Sequence, residues 1–388
     1  MKQLKLHSWT PSSWQGKSMN HLPEYDFNQV KLIIEDLKTR QGIVSISQIK
    51  SLRENLSLVN QRKAFLIQAG DCAEPLGEND SVVVSAKINL IQHLSTFIPD
   101  KYKPVLVGRI AGQYAKPRSF HYETRDLLML TAYHGDIMNR IEFTPEARKL
   151  DPALMLSAYD SAKIIMTYID SAENIFTSHE SLQLFYEEGL TRFSDEKNEW
   201  YALSTHFPWL GMRTAINSDA HVEYLRGLQN PIAIKLGPFM TTDRLLTLID
   251  LLNPNNELGK MTLIHRVGES AIEKVLPQWI SAIQSEGKNV IWSCDPMHGN
   301  TEVTADGIKT RKLHKIMSEV QQAFTIHKQA GSFLGSIHLE TSPYNVTECI
   351  DESSVLEQNL KDNYKSYVDP RLNPHQACQV MEVVSKNL

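Results

Sequence analysis

The stretch TLIHRVGESAIEKVLPQWISAIQSEGKNVIWSCDPMHG (residues 262–299) holds two short apolar runs separated by a helical pattern, and each run ends in polar residues or glycine. Such runs, here TLIHRVG (262–268) and NVIWSCDPMHG (289–299), read as buried strands. Between them AIEKVLPQWISAIQ (271–284) spaces its apolar residues as one face of a helix does. Strand, helix and strand in that order predict parallel pairing through a right-handed crossover. The same unit recurs on both sides, with strands expected at FLIQAGDC (65–72), VLVGR (105–109), NIFTSHE (174–180), FPWLGMR (207–213), IAIKLG (232–237) and FLGSIHLE (333–340). SAKINLIQHLSTF (85–97) is one of the intervening helices. Eight strands alternating with helices define an α/β chain that closes naturally into a (β/α)8 TIM barrel. An open doubly wound sheet is the alternative, and no Gly-x-Gly-x-x-Gly supports its dinucleotide-binding form.

At 388 residues the chain exceeds an ordinary domain of ~150, but a barrel runs to ~250 or more as one unit. Residues 1–60 read as an N-terminal extension packed on a barrel of residues 61–388. Val30, Ile33, Ile34 and Leu37, with Phe27, predict a helix opening after Pro23. A second helix runs to Leu58, with Ser45 and Gln48 forming a capping box. Trp9 and Trp14 tuck this arm against the barrel. The long connection from Arg109 to Asn174 carries a helix over PALMLSAYDSAKIIMTYI (152–169), preceded by an irregular stretch, and reads as an elaborated loop on the barrel mouth.

A net charge of −5 gives no reason to expect nucleic acid or an anionic membrane as partner. No apolar run is long enough for a membrane span or a signal peptide. Four cysteines without a Cys-x-x-Cys pair make neither a disulfide framework nor a zinc ribbon, and a reducing cytoplasm is the simplest compartment.

Active sites of such barrels lie at the C-terminal ends of the strands. Those ends carry, in order, Cys72, Arg109, Glu180, Arg213, Lys235, Arg266, His298 and Glu340. Any one of them could be a solvated or ion-paired strand end, whereas eight in succession form a pattern. Arg109, Lys116, Arg118, Arg213, Lys235 and Arg266 form a cationic set that repels itself unless anions enter, so it predicts phosphate- and carboxylate-bearing substrates. Cys72, His298, Glu340 and Asp369 offer a thiolate, an imidazole and two carboxylates, enough for a divalent transition metal. Taken singly, Cys72 reads equally well as a small buried apolar group and His298 as a satisfied polar residue. A Lewis acid beside a cationic pocket suits an aldol-like condensation of an enol phosphate with an aldehyde sugar. A Schiff-base aldolase using Lys235 is the rival, although a six-cation cluster is a poor setting for it.

The blocks QAGDCAE (68–74), GRIAGQYAKPRS (108–119), IKLGP (234–238), HRVGE (265–269), DPMHGNT (295–301), HLE (338–340) and DPRLNP (369–374) resemble those of type II 3-deoxy-D-arabino-heptulosonate 7-phosphate (DAHP) synthases, in the same order. The resemblance implies that Cys72, His298, Glu340 and Asp369 bind manganese or cobalt. It implies that Arg109, Lys235 and Arg266 contact phosphoenolpyruvate, and that Lys116 orients both substrates beside Cys72 and His298. Arg118 and Ser119 would face erythrose 4-phosphate, and Met212 and Arg213 would lie at a phosphate. The implied reaction joins C3 of phosphoenolpyruvate to the aldose aldehyde, with water adding at C2 and phosphate leaving, and it opens the shikimate pathway. A homodimer is the implied assembly. Condensation with another phosphosugar, or an inactive barrel serving as a scaffold, are the remaining alternatives.

Three departures stand out. Met212 replaces a glutamate common in the family, and Val368 replaces a cysteine often found before the metal-binding aspartate. The connection between Lys116 and Glu180 is short, which implies weak or absent feedback inhibition by aromatic amino acids, as in compact members serving secondary metabolism such as phenazine synthesis.

Overall fold

The structure, a computed structural model, describes residues 9–19, 25–118, 120–172, 174–351 and 353–388; the side chains of Phe27 and Asn217, and the expected roles of Pro23 and Ser119, lie outside it. Eight parallel strands close into a barrel: β1 (Ala64–Gly70), β2 (Lys103–Arg109), β3 (Ile175–Glu180), β4 (Phe207–Leu210), β5 (Ile232–Leu236), β6 (Met261–His265), β7 (Ile291–Cys294) and β8 (Leu334–Glu340). Neighbours pair in chain order, and β1 closes the ring on β8 with Gly70 opposite Glu340. All eight expected strands are present and the open sheet is excluded. The seventh is shorter than its apolar run suggests. It stops at Cys294, and DPMHGN turns away so that His298 opens a short 3-10 turn, His298–Asn300.

Alternation along the strands sorts the residues into two layers. Leu66, Val105, Val107, Phe207, Trp209, Ala233 and Ile264 form a cluster inside the ring. Phe65, Ile67, Ile234, Leu263 and Trp292 join the cluster between the ring and its surrounding helices. The period of two therefore carries Lys235, two residues after Ala233, and His338 and Glu340 to the inner face at the mouth.

The barrel floor is closed from outside the repeat. Helix Ile46–Asn60, with the Ser45–Gln48 capping box present, buries Leu52, Leu56 and Val59 in the inner cluster. A preceding helix spans Phe27–Thr39. Trp14 is fully buried, and its Nε1 donates to Glu188 Oε2 (3.0 Å), while Trp9 Nε1 donates to the Glu223 carbonyl (2.8 Å).

The connection after β2 is more ordered than an irregular stretch. It contains an antiparallel hairpin, Tyr122–Arg125 with Leu128–Thr131, turned by Asp126 and Leu127 at φ of 46° and 68°, before helix Leu154–Ile169.

Candidate active site

A cavity of about 400 Å³ opens at the C-terminal end of the barrel, within the range of small-molecule sites. Arg109, Lys116, Arg118, Arg213, Lys235 and Arg266 all line it, together with Lys309, His298 and Asp369. Lys235 arrives on β5, and Arg266 follows directly from β6. Lys116 and Arg118 lie in the loop after β2, and Arg213 in the short helix Met212–Asn217 after β4. Arg118 is ion-paired with Glu123 (3.0 Å). Met212 packs its sulfur 3.6 Å from Arg266 Nη1 and stands over Gly237, where a Cβ would come within 2.1 Å of that sulfur. The side chain in the usual glutamate position thus supports the guanidinium as an apolar wall.

Arg109 is more deeply built in than a ligand contact alone requires. Nε donates to the Asp71 carbonyl (2.8 Å), and Nη2 to the Cys72 carbonyl (3.1 Å) and Glu340 Oε1 (3.0 Å). Nη1 lies 2.6 Å from His338 Nε2, and His338 Nδ1 is 2.7 Å from Gln68 Oε1, so the imidazole carries its proton on Nδ1. Most of the Arg109 donors are therefore committed to the barrel wall.

Beside the cations lie the four candidate metal ligands. The donor atoms of Cys72, Glu340 and Asp369 fall within 4.8 Å of one another, and His298 Nε2 is 3.1 Å from Glu340 Oε1. The Lys116 ammonium sits at their focus, 2.7 Å from Cys72 Sγ, 3.2 Å from Glu340 Oε1 and 2.8 Å from Asp369 Oδ2. Burial pushes the Cys72 thiol up to about 12, with Glu340 adding to it and Lys116 opposing. Burial also lowers His298 to about 4, against the pull of Asp295, so the ring is neutral. For Glu340, burial alone would raise the carboxyl, but the charges of Lys116, Arg311 and Arg109 outweigh it and hold it well below the usual range.

Two observations fit this group to a divalent ion. A cationic ammonium already occupies the focus of the donors. The neutral His298 ring has its Nδ1 directed at Asp295 (2.7 Å to Oδ2), which leaves the Nε2 lone pair facing a carboxylate oxygen. A shared cation relieves that opposition.

The residues that hold this set were not singled out by sequence. Asp295 pairs with His298 and also with Lys235 (3.1 Å). Arg311 lies 2.8 Å from Glu340 Oε2. Arg371 bridges Asp71 Oδ1 (2.6 Å) and Glu348 Oε1 (2.9 Å), linking the segments that carry Cys72 and Asp369, while Lys87 pairs with Asp71 (2.7 Å). Asp295 had a signal, an acid three residues before the histidine. Arg371 lies within the DPRLNP block, which drew attention only to Asp369, and Arg311, outside the strand ends, had no signal. Val368, noted in the sequence as a departure from the family pattern, packs with Cys72 and Tyr133 in a small apolar cluster.

Lys235 meets one requirement of the Schiff-base rival. Burial lowers its ammonium to about 8, with Asp295 opposing and Arg109 reinforcing, and it lies 5.4 Å from the Trp209 ring centre.

A barrel that collects this much positive charge at its catalytic end is built for substrates with several negative charges, and fold and mouth together define an enzyme of phosphorylated, anionic substrates. The chain belongs to the Class-II DAHP synthetase family, whose model matches residues 9–174 and 170–385. It is 38% identical to the phospho-2-dehydro-3-deoxyheptonate aldolase of Neurospora crassa, over 97% of this chain and 94% of that one. It is 31% identical to the Streptomyces coelicolor protein of the same name, over 97% and 96%. A probable phospho-2-dehydro-3-deoxyheptonate aldolase of Pseudomonas fluorescens is 38% identical over 88% of each chain. The structure of the Francisella tularensis phospho-2-dehydro-3-deoxyheptonate aldolase covers 94% of this chain and 97% of its own with a TM-score of 0.57; at 12% identity this likeness concerns the fold alone.

Proposed function

We propose that the chain condenses phosphoenolpyruvate with erythrose 4-phosphate and water to give DAHP and phosphate, the first step of the shikimate pathway, at this mouth. The observation that carries the reading is the meeting, in one cavity, of the basic set with the donors of Cys72, His298, Glu340 and Asp369. Lys235 and Arg266 hold the carboxylate and phosphate of phosphoenolpyruvate, with Arg109 fixing the wall behind them. Arg118 and Arg213 take the aldose phosphate, for which Arg118 exchanges its partner Glu123. Ser119 is assigned beside Arg118 by resemblance. Cys72, His298, Glu340 and Asp369 would hold a divalent ion, manganese or cobalt, which would supply Lewis acidity for the aldehyde. Asp295 keeps the His298 Nε2 lone pair directed at the ligand set. Lys116, released from Cys72, Glu340 and Asp369, is positioned to orient the two reacting ends and to give or take a proton near the new bond. In that reading C3 of phosphoenolpyruvate forms the bond to the aldehyde carbon, water adds at C2, and the C2–O bond to phosphate breaks.

Family membership disfavours the Schiff-base route despite the lowered Lys235, and it disfavours a scaffold without activity. A homodimer in the cytoplasm completes the reading. Free cysteines at positions 72, 294, 349 and 378 suit a reducing compartment, and among the described residues no helix is long and apolar enough to cross a membrane. The test follows phosphoenolpyruvate loss with erythrose 4-phosphate present, with and without EDTA. Turnover abolished by chelation and restored by manganese or cobalt is expected; turnover indifferent to EDTA would refute the metal assignment.

A further inference from the structure

The two loops that carry Arg266 and His298 are joined by a residue belonging to neither. Glu319 lies on helix Leu313–Gln329, outside the barrel wall, and is fully buried. Its Oε1 accepts from the Gly268 N–H (3.0 Å), two residues beyond Arg266. Its Oε2 accepts from Asn300 Nδ2 (2.7 Å), two residues beyond His298. Asn300 completes the tie, because its Oδ1 accepts from the Glu269 N–H (3.1 Å) and its Nδ2 also donates to the Pro296 carbonyl (2.8 Å). The loops touch through backbone: a Cβ on Gly299 would come within 2.2 Å of Gly268 N, and Gly268 sits at a φ of +89°. Side chains that could otherwise fix the spacing are absent at both contact points, so the polar tie sets the register of one loop against the other.

We propose that Glu319, acting through Asn300, is a positioning residue that holds the Arg266 loop and the His298 loop at a fixed separation, and thereby sets the distance between the phosphoenolpyruvate subsite and the metal-ligand set. The proposal rests on the functional reading above. His265 and Cys294 also lie within 4.8 Å of this carboxylate, but both of its oxygens are already committed to the loops, which marks it as a tie between them. An apolar residue at this position would leave the Gly268 N–H without its acceptor in a dry interior, a cost that a helix packing against a barrel does not need to incur.

The geometry suggests a reciprocal test at constant volume. In Glu319→Gln, the amide oxygen can serve Gly268 but its NH2 then faces the Asn300 NH2, so two donors oppose. In Asn300→Asp, the group that donated to both Glu319 and the Pro296 carbonyl becomes an acceptor, so both contacts lose their donor. In the double variant the glutamine NH2 donates to the aspartate, so the contact between positions 319 and 300 returns with its roles exchanged, while the Pro296 carbonyl still faces an acceptor. Two quantities are measured: the affinity of the metal-free chain for Mn2+ by calorimetric titration, and KM and kcat for phosphoenolpyruvate. Each single variant should lose roughly 10- to 100-fold in Mn2+ affinity and in kcat/KM, as residues behind metal ligands do. The double variant should recover the part of that loss due to the 319–300 contact and bind Mn2+ more tightly than either single variant.

Single variants indistinguishable from the unaltered chain, or a double variant no better than the poorer single, would overturn the proposal. If Glu319→Gln does not fold, comparing Asn300→Asp with the double variant decides in the same way. Mn2+ titration needs no turnover, so a chain that fails to condense the substrates, yet shows the loss and its rescue, sinks the functional reading and leaves the tie standing.

Discussion

Replacing Arg371 with methionine should lower stability and metal affinity together. The guanidinium donates to Asp71 (2.6 Å) and twice to Glu348 (2.9 and 3.1 Å), and both acids are buried. Removing one partner of a buried ion pair costs about 3–5 kcal/mol, because the remaining charge is stranded. Here the acids keep other support. Glu348 still accepts from the backbone N–H groups of Lys365 (3.0 Å), Ser366 (2.8 Å) and residue 371 (2.6 Å), and Asp71 keeps Lys87. That places the loss at the lower end, about 3 kcal/mol. With an unfolding entropy of about 2.1 cal/mol/K per residue over 388 residues, the midpoint should fall by about 4 °C in a calorimetric scan. Asp71 precedes Cys72, and Arg371 follows Asp369 by two residues, so Mn2+ affinity should also fall about tenfold. Burial alone would raise the Asp71 carboxyl, but Lys87 and Arg371 outweigh it and hold it below its usual range. A depressed acid stabilises above its unfolded pKa and loses that contribution as pH falls, so the deficit of Arg371→Met should shrink below about pH 4. A variant that melts within about 1 °C of the unaltered chain at neutral pH and binds Mn2+ equally well would refute the linkage.

Since burial lowers the Lys235 ammonium to about 8, kcat/KM for phosphoenolpyruvate should decline as pH rises through that region, and Lys235→Arg should move the decline to higher pH. An unmoved alkaline limb would assign it to another group. Leu56→Ala, in the helix under the barrel, should cost about 2–5 kcal/mol in denaturant unfolding although the site lies at the opposite end; a loss below about 1 kcal/mol would mean that the floor does not depend on that side chain. Tryptophan, phenylalanine and tyrosine, titrated singly and together into the turnover assay, should leave the rate unchanged; strong inhibition by any of them would show that the short connection does not remove feedback.

The strands and the cations at their ends were legible because both obey a period. Each apolar run announces a buried strand, and the residue ending it reaches the mouth. The hairpin at Tyr122–Thr131 escaped notice because Leu127 occupies a turn position at φ 68°, where glycine or asparagine would have advertised the bend. The seventh strand was drawn too long: the Asp295 N–H makes the last bond of its ladder, to the His265 carbonyl (2.8 Å), and Pro296, which has no N–H, cannot continue it. Arg311 could not be read at all, and Arg371 was visible only as one letter of the DPRLNP block. Their importance lies in partners remote in sequence, Glu340 and Asp71, and no local pattern encodes such a pairing.

The segment that seals the bottom of the ring precedes the first strand in the chain, so the base is synthesised before the wall that stands on it. Any trimmed version that begins at the first strand would leave an open tube with its lining wet from below, and its partner residues Ala64, Leu66 and Val105 facing solvent. A tag placed before Trp9 leaves that seal intact, whereas a shortened start that removes Leu52, Leu56 and Val59 exchanges a catalyst for a sticky barrel without a floor.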